Sequence, residues 1–329
     1  MRVAVTGAAG YIGSVACQTL LAHGAEILAL DNLVRGHREA IAPGIEFRRV
    51  DVTDEPGLSA ALAAFRPDAV LHFAALTIAP ESVRQPETYW QVNTVGTLSL
   101  LNAMRATGVQ RLVFSSTAAV YGTPREVPIR EDAQLAPINP YGASKLAAEM
   151  MIESFATAHA LSYAMLRYFN VAGAAGDIGE DHDPETHLIP SALDAAAGRR
   201  PPLDVYGTDF PTPDGTAIRD YVHVEDLIDA HILALHRLLG DDRALGAINL
   251  GTRDGASVME VLAAVERVTG QPVPHLLAAR REGDPSILVA DPSRAESVLK
   301  WSPGRSSLDE MVKSAWEWRQ RFPDGYATT

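Results

Sequence analysis

An alternation of short apolar runs with longer helix-like stretches is the feature that most constrains the fold of this chain. Several apolar runs are nearly uninterrupted, as is typical of strands that helices cover on both faces. The predicted strands are RVAVT (2–6), EILALD (26–31), IEFRRVD (45–51), AVLHFA (69–74), RLVFSS (111–116) and SYAMLRYF (162–169). Helices are predicted between them, at 11–23, 57–66, 87–107 and 141–159. The alternation predicts an α/β fold with a doubly wound parallel sheet.

The pattern changes after about residue 170. The stretch that follows is rich in Gly, Pro and Asp, and further helices are predicted near 188–198, 225–240, 257–269 and 307–322. We therefore predict two domains. Residues 1–170 would carry the parallel sheet, with a return of the chain around 215–250. Residues 171–329 would form a smaller mixed domain that covers the substrate.

Composition and charge narrow the classes of function. The chain has 28 Lys and Arg against 41 Asp and Glu, a net charge of −13. This charge argues against sequence-independent binding of nucleic acid or of an anionic membrane. No apolar run approaches the roughly 18 residues of a membrane span. Cys17, the single cysteine, cannot form an internal disulfide, and MRVAVTGAAG leads directly into a strand and turn without a signal-peptide pattern, so we expect a cytoplasmic protein.

The first predicted strand ends in TGAAGYIG, which spaces Gly7, Gly10 and Gly13 three residues apart. Small residues between a strand and a helix let the backbone approach a pyrophosphate, and the helix N-terminus supplies N–H donors. Asp31, at the end of the second strand, can accept hydrogen bonds from an adenosine ribose and would repel a 2′-phosphate. The motif therefore predicts NAD rather than NADP, although Arg35 lies nearby. The alternative for Asp31 is an aspartate that only caps a turn.

A second motif, PYGASK at 140–145, places Tyr141 four residues before Lys145. Side chains with this spacing lie on one face of a helix. An ammonium near a phenol favours the phenolate, so the pair predicts a tyrosine with a lowered pKa that can transfer protons. The alternative is an ordinary surface pair.

These motifs, with others along the chain, resemble the extended short-chain dehydrogenase/reductases, and among them the UDP-glucose (UDP-galactose) 4-epimerases. The resemblance covers nearly the whole chain and implies a Rossmann-type NAD-binding domain in the first 170 residues. The stretches that carry it are TGAAGYIG, ALDNL, VDVTD, HFAAL, NTVGT, FSSTAAVYG, PYGASK, RYFNVAGA, GEDHDPETHLIP, GTAIRDYVHVEDL and RREGDPS.

The resemblance implies a catalytic group and a reaction. Tyr141 would be the base that takes a proton from the sugar 4-hydroxyl, Lys145 would hold the nicotinamide ribose, and Thr117 would supply a hydroxyl between Tyr141 and the sugar. At the position of Thr117, epimerases more often have serine. Threonine keeps the hydroxyl but is stiffer at χ1. Hydride would pass from C4 to tightly bound NAD and return to the opposite face of a transient 4-keto sugar.

Further residues take roles from the resemblance alone. The cofactor would contact residues along the sheet edge: Gly7, Gly10, Tyr11, Ile12, Gly13, Asp31, Asn32, Asp51, Val52, Phe73, Ala74, Ala75, Asn93, Ser115, Tyr141, Lys145 and Tyr168. The UDP-sugar would contact Thr117, Tyr141, Asn170, His187, Leu188, Tyr206, Arg219, Arg281 and Asp284. An ion pair of Arg219 with Asp220 is the alternative for that arginine. Leu288 stands where side-chain size influences acceptance of N-acetylated sugars, and a leucine leaves this specificity open.

Other interpretations compete with the 4-epimerase of UDP-glucose. The loop GEDHDPETH (179–187) contains metal-ligand residue types, but it lacks a helical His pair and a cysteine, so we expect a polar loop and no metal. A 4,6-dehydratase would need an acid and a base beside Thr117, where Ala118 and Ala119 stand. An epimerase of UDP-N-acetylhexosamines, UDP-pentoses or UDP-uronates and a non-catalytic NAD-binding protein also stay open. Apolar positions on helices 87–107 and 141–159, with the resemblance, predict a homodimer.

Overall fold

In the computed structural model, which describes residues 1–240, 242–281 and 284–326, seven parallel strands form one sheet. The strands of the described chain are β1 Arg2–Thr6, β2 Glu26–Asp31, β3 Glu46–Arg49, β4 Ala69–His72, β5 Arg111–Thr117, β6 Ser162–Tyr168, β7 Asn170–Ala172, β8 Leu203–Tyr206, β9 Ile218–Arg219, β10 Tyr221–His223, β11 Ala244–Leu250, β12 Ala256–Ser257, β13 His275–Ala278 and β14 Ile287–Leu288. The large sheet has the order β11-β6-β5-β4-β1-β2-β3. The predicted doubly wound parallel sheet is confirmed.

Helices cover both faces of this sheet. They are α1 Tyr11–Ala22, α2 Glu55–Phe65, α3 Ala79–Arg84, α4 Pro86–Tyr89, α5 Gly96–Thr107, α6 Pro140–His159, α7 Leu188–Ala196, α8 Val224–Leu239, α9 Val258–Thr269 and α10 Leu308–Arg321. Side chains alternate along each strand, so Val3 and Val5 of β1 pack with α1 and α8, whereas Ala4 packs with α2 and α5. The nearly continuous apolar runs of the sequence thus fill two cores, one on each face.

The strand order reverses between β1 and β4, which are neighbours in the sheet although β2 and β3 lie between them in the chain. In open α/β sheets, ligands bind outside the carboxyl ends of the strands at such a point. The glycine-rich loop follows β1 and the segment Phe73–Ala75 follows β4, so both lie at this position. The topology therefore predicts a ligand site at the same edge of the sheet that the sequence motifs indicate.

Smaller sheets and a third core lie in the C-terminal half. β8 pairs with β13, β9 pairs with β12 and β14, and β7 pairs with β10. Helices α7, α9 and α10 share a core that includes Leu193, Leu262 and Val312. A mixed C-terminal region was expected and is present. The domain boundary near residue 170 stays a prediction, and β11 shows that the chain rejoins the large sheet.

Local signals fix the beginning of α6, which carries two site residues. Asn139 accepts a hydrogen bond from the Gly142 N–H at 2.9 Å, and Pro140 occupies the first helical position. Tyr141 and Lys145 are thereby placed in the first two turns. The predicted helix 87–107 differs from the structure, where α4 passes through a π-helical turn, Trp90–Val95, into α5.

Candidate active site

The glycine-rich loop between β1 and α1 is too tightly packed for side chains. Gly7 has φ +67°, and a Cβ there would lie 2.5 Å from the Ala74 nitrogen. A Cβ on Gly13 would overlap the Gly7 carbonyl oxygen, while the Gly10 N–H donates to that same oxygen at 3.2 Å. Within the described chain, no side chain caps the N-terminus of α1 at Gly10. The loop thus leaves the first N–H groups of α1 open to an anionic ligand.

Asp31 ends β2 beside this loop. Its carboxylate is buried and accepts hydrogen bonds from the Ala9 N–H at 3.0 Å and the Leu33 N–H at 2.8 Å. Burial raises the pKa of Asp31, and the backbone donors counteract that rise. Asp31 therefore caps the turn, as the alternative interpretation held. The same hydrogen bonds hold its carboxylate beside the glycine-rich loop, where a cofactor ribose would also contact it.

The other residues predicted to bind the adenosine half of the cofactor lie near Asp31 and at the start of α1. The Asn32 amide donates to the Asp51 carboxylate at 2.7 Å, and Asp51 also accepts from the Thr53 hydroxyl at 2.6 Å. Val52 is buried against Gly96 at the start of α5. Tyr11 and Ile12 begin α1, and the Tyr11 hydroxyl donates to the Gly173 carbonyl at 2.6 Å. The hydroxyl of Tyr11 is thus already engaged by the chain itself.

Asn93 fixes the segment that follows β4. Its amide donates to the Leu76 carbonyl and to the Ser144 hydroxyl, both at 3.0 Å, and its oxygen accepts from the Leu76 N–H at 2.8 Å. The Phe73–Ala75 segment lies between this anchor and β4. Asn93 therefore ties the cofactor-side segment to α6, a positioning contact that the sequence did not reveal.

Thr117 and Tyr141 meet at the end of β5. Tyr141 is half-buried, and desolvation raises its pKa above the ordinary value, while a hydrogen bond with the Thr117 side chain lowers it. The sequence predicted a lowered pKa caused by Lys145. That expectation is wrong, because desolvation of the phenol outweighs the other effects on its pKa.

Lys145 is almost completely buried one turn later. Burial lowers its pKa to about 7, although the charge of Glu149 raises it. The ammonium lies 4.6 Å from the centre of the Phe114 ring. Glu149 is engaged elsewhere, because it binds Arg167 at 2.6 Å and accepts from the Ser116 hydroxyl at 2.5 Å. The ammonium of Lys145 therefore keeps hydrogen-bonding capacity for a ligand with hydroxyl groups.

The buried pair of Glu149 and Arg167 was not predicted. Arg167 also donates to the Tyr121 hydroxyl at 3.0 Å, which in turn donates to Asn249 at 2.7 Å. The pair is satisfied on all sides, as a buried ion pair requires. No short sequence pattern could have suggested it, because Glu149 lies on α6 and Arg167 on strand β6.

Ser115 and Tyr168 are hydrogen-bonded to each other across β5 and β6. The Tyr168 ring lies 6.0 Å from the ring of His231, and the Phe73 ring lies 4.9 Å from that same imidazole. His231 comes from α8 and is completely buried, with its pKa lowered to about 4 by burial. Two residues predicted for the nicotinamide end, Phe73 and Tyr168, thus pack against a histidine that sequence reasoning missed.

The residues predicted for the uridine diphosphate form a compact cluster. Arg219 of β9 binds the Asp284 carboxylate at 2.5 Å, and the Arg281 guanidinium approaches the same carboxylate at 3.8 Å. Arg281 also lies over the ring of Tyr206 at 4.5 Å. In the RREGDPS motif, Glu282 and Gly283 lie outside the described residues.

The alternative for Arg219, an ion pair with Asp220, is not formed. Asp220 is buried and accepts hydrogen bonds from the Thr252 hydroxyl at 2.7 Å and from the Ala290 N–H at 3.0 Å. Its role is to tie β9 to neighbouring loops. Arg219 is thereby left to Asp284.

Three further predicted residues lie at the beginnings of elements. Asn170 begins β7 and forms a side-chain hydrogen bond with Tyr221. His187 precedes α7 and pairs with Glu180, and Leu188 begins α7 and packs against the third core. Contacts within the chain therefore fix the side chains of these three residues.

Comparison with known proteins assigns the family. Residues 3–251 match the model of the NAD dependent epimerase/dehydratase family. The chain is 47% identical over 328 residues to the UDP-glucose 4-epimerase of Lacticaseibacillus casei, with 99% of each chain covered. It is 49% identical over 326 residues to that of Streptomyces lividans, covering 98% of this chain and 97% of the relative.

Solved structures agree with this assignment. The crystal structure of UDP-glucose 4-epimerase from Brucella ovis in complex with NAD has a TM-score of 0.94 and 45% identity, covering 96% of this chain and 97% of that one. The enzyme from Bifidobacterium longum in complex with NAD⁺ and UDP has a TM-score of 0.94 and 35% identity, covering 99% of this chain and all of that one (100%). The fold, the site and these similarities together show that the chain belongs to the NAD dependent epimerase/dehydratase family.

Proposed function

We propose that this protein is a UDP-glucose 4-epimerase that interconverts UDP-galactose and UDP-glucose with NAD as its resident cofactor. The observation that carries the proposal is the meeting of Thr117 and Tyr141, with Lys145 one turn further along α6, at the edge of the sheet where the glycine-rich loop lies. Full-length similarity to UDP-glucose 4-epimerases supports the choice of substrate.

The residues at the sheet edge fit NAD. A Cβ on Gly7 or Gly13 would overlap backbone atoms of the chain itself, so glycine keeps this loop tight. The start of α1, which no described side chain caps, suits a pyrophosphate. The buried carboxylate of Asp31 suits a ribose with free hydroxyls and disfavours a phosphate there. Asn32, Asp51 and Val52 would lie toward the adenine.

When bound, NAD supplies a hydride acceptor and donor, so that C4 of the sugar can pass through a ketone. Tyr141 would remove the proton of the 4-hydroxyl and return it, and Thr117 would hold that oxygen beside the phenol. Lys145 would donate to the hydroxyls of the nicotinamide ribose, and its positive charge would favour the phenolate of Tyr141. Ser115, Tyr168, Phe73, Ala74, Ala75 and Asn93 would shape the nicotinamide end.

The cluster around Asp284 would bind the nucleotide. Guanidinium groups bind phosphate oxygens through paired donors, so Arg219 and Arg281 would neutralise the pyrophosphate of UDP. Asp284 would accept from the uridine ribose, and Tyr206 would lie beside uracil. Asn170, His187 and Leu188 would complete the site near the diphosphate and the sugar.

The position of Leu288 bears on which UDP-sugars the proposed site accepts. This residue pairs in register with Arg219 and packs against the cluster that contains Ala118, the residue after Thr117. Its side chain would therefore border the sugar, where an N-acetyl group needs more room. The two alanines after Thr117 supply neither an acid nor a base, which argues against a dehydratase.

A homodimer and a cytoplasmic location complete the proposal. Trp90, Val95, Leu98 and Met150 expose apolar surface on the α4–α5 segment and on α6, which suits pairing across a two-fold axis. None of the helices in the described part of the chain combines the length and apolarity needed to cross a bilayer. Cys17, the only cysteine, is buried, as expected for a chain that needs no disulfide.

A panel of UDP-sugars tests this proposal directly. Purified protein without added cofactor is incubated with UDP-galactose, UDP-N-acetylgalactosamine, a UDP-pentose and a UDP-uronate, and C4 inversion is followed by chromatography or NMR. The proposal predicts the fastest inversion with UDP-galactose. Inversion of only another UDP-sugar would transfer the assignment to that substrate, and inversion of none would contradict it.

A further inference from the structure

The loop between β7 and α7 folds four potential metal ligands into one cluster. Glu180, His182, Glu185 and His187 each offer one ligand atom, and these atoms all lie within 4.8 Å of one another. The sequence places ligand residue types in this loop, but we expected no metal there, because neither histidine lies on a helix with its partner. A compact loop brings the four groups together instead.

Distances within this cluster, which we call the Glu180 cluster, approach those between ligands of one ion. The His182 Nδ1 lies 3.3 Å from the Glu180 Oε1 and 3.8 Å from the Glu185 Oε2, and the His187 Nδ1 lies 3.7 Å from the Glu185 Oε1. In a tetrahedral zinc site with bonds of about 2.0–2.2 Å, neighbouring ligand atoms are roughly 3.3–3.5 Å apart. Small side-chain movements would suffice to bind an ion.

Two ligand atoms of the Glu180 cluster are buried without a hydrogen-bond partner. They are the His182 Nδ1 and the Glu185 Oε2. Buried polar atoms in folded proteins are nearly always satisfied, so each such atom requires an explanation. The carboxylates of Glu180 and Glu185 also belong to this one cluster, where their like charges repel each other. A cation between the two carboxylates would satisfy the orphaned atoms and remove the repulsion.

We propose that the Glu180 cluster binds one divalent first-row transition-metal ion, with Zn²⁺ as the best-suited ion. The donor set of two imidazole nitrogens and two carboxylate oxygens matches the preferences of zinc, whereas Ca²⁺ and Mg²⁺ favour oxygen ligands only. His187 keeps about half of its side-chain surface exposed (49%), which provides an entry path. Of its four residues, His187 alone is also among those proposed to contact the UDP-sugar.

The bound ion would crosslink the loop between β7 and α7. The loop already contacts the segment that follows β2. Arg35 donates to the Asp183 carbonyl at 2.6 Å, and the His37 imidazole contacts the Asp181 carbonyl at 3.1 Å. His187 leads directly into α7 and its first residue Leu188. A metal at His182 and His187 would therefore fix the entry to α7 relative to the rest of the loop.

Zinc titration of the full-length protein tests the site. Protein freed of metal with a chelator is titrated with ZnCl₂ by calorimetry, and thermal unfolding is measured with and without Zn²⁺. The variants are His182→Gln and Glu185→Gln, which remove the two orphaned ligand atoms and leave the proposed substrate contacts in place. His159→Gln, an equivalent change at the exposed end of α6, is the matched control.

We expect one Zn²⁺ per chain and a rise in Tm for the unaltered protein and for His159→Gln. Either ligand variant should weaken binding more than about 100-fold, beyond the cost of losing an outer-shell partner, and should lose the rise in Tm. The absence of saturable binding to the unaltered protein would overturn the proposal. Undiminished binding by either variant that folds, as judged by circular dichroism, would also overturn it.

Discussion

The guanidinium of Arg219 binds the carboxylate of Asp284 at 2.5 Å, although 65 residues separate them in the chain. The contact joins β9 to the loop before β14, and Arg281 approaches the same carboxylate. Asp284 therefore contacts both guanidinium groups that the proposed function assigns to a diphosphate. Binding of UDP would exchange this carboxylate for phosphate oxygens and direct Asp284 toward the ribose.

Replacement of Arg219 should weaken substrate binding more than it slows chemistry. Hydrogen bonds to charged groups contribute about 1.5–3 kcal/mol, so Arg219→Ala should raise KM for UDP-galactose roughly 10–100-fold with a small change in kcat. Initial-rate kinetics measure the two constants. Arg237→Ala is the control, because Arg237 forms a similar pair with Asp242 at 2.6 Å on an exposed surface. An unchanged KM for Arg219→Ala would remove it from the nucleotide site.

Loss of the Tyr141 hydroxyl should remove most turnover and leave the cofactor bound. General acid–base groups contribute about 10²–10⁴-fold to rates, and Tyr141→Phe should lose at least that factor. NAD content is measured by mass spectrometry of nucleotide released on denaturation. Tyr89→Phe is the matched control, since the Tyr89 ring packs edge-on against Tyr141 with centroids 6.4 Å apart. Nearly normal turnover by Tyr141→Phe would exclude it as the base.

Replacement of Lys145 should shift the pH profile as well as the rate. Desolvation raises the pKa of Tyr141 even with Lys145 in place, and removal of a nearby ammonium would raise this pKa further, so fewer molecules would hold a phenolate at neutral pH. Lys145→Met should therefore lower kcat and displace the acid limb of the kcat–pH profile to higher pH. A proportional loss of rate with an unmoved acid limb would limit Lys145 to holding the ribose.

Buried histidines should make the fold sensitive to mild acid. The pKa of His231 is about 4 in the fold, and an unfolded histidine titrates near about 6.5. Below pH 6.5 the unfolded chain binds the extra proton, so this contribution to stability is present above that pH and declines as pH falls toward 4. At pH 5 the loss from this residue is about 2 kcal/mol.

Comparison of unfolding at pH 7.5 and pH 5 checks this dependence. His231→Phe, which places a ring where Phe73 and Tyr168 already pack, should lose less stability between the two pH values than the unaltered protein does. His159→Phe, at an exposed position on α6, should behave as the unaltered protein. Equal losses for all three proteins would show that His231 is not the titrating group.

Much of the fold was predictable because it follows from local patterns. The ranges predicted for β1 and β2 agree with the structure, since their apolar runs are bounded by glycine-rich turns. β11 was missed because Gly246, with φ +68°, interrupts the run ALGAINL at a β-bulge, which conceals the strand pattern. The prediction of one continuous α-helix over 87–107 was also wrong in detail, because the pattern of apolar residues does not distinguish a π-helical turn from an α-helical one.

The site divides in the same way between local and long-range features. Gly7, Gly13 and the Tyr141–Lys145 spacing were recognisable because a few adjacent residues suffice for each motif. The partnership of Glu149 with Arg167 depends on strand β6 meeting helix α6, which no short pattern encodes. The direction of the Tyr141 pKa was wrong for the same reason, because burial by the whole fold determines it.

Conversion of UDP-galactose that carries deuterium at C4 tests the central claim most directly. The account holds that the hydrogen leaving C4 returns to C4 of the same sugar while Tyr141 moves only the hydroxyl proton. With no added cofactor and in ordinary water, the UDP-glucose formed should keep its deuterium at C4, as read by NMR and mass spectrometry. UDP-glucose that has exchanged this deuterium for solvent hydrogen would contradict the account.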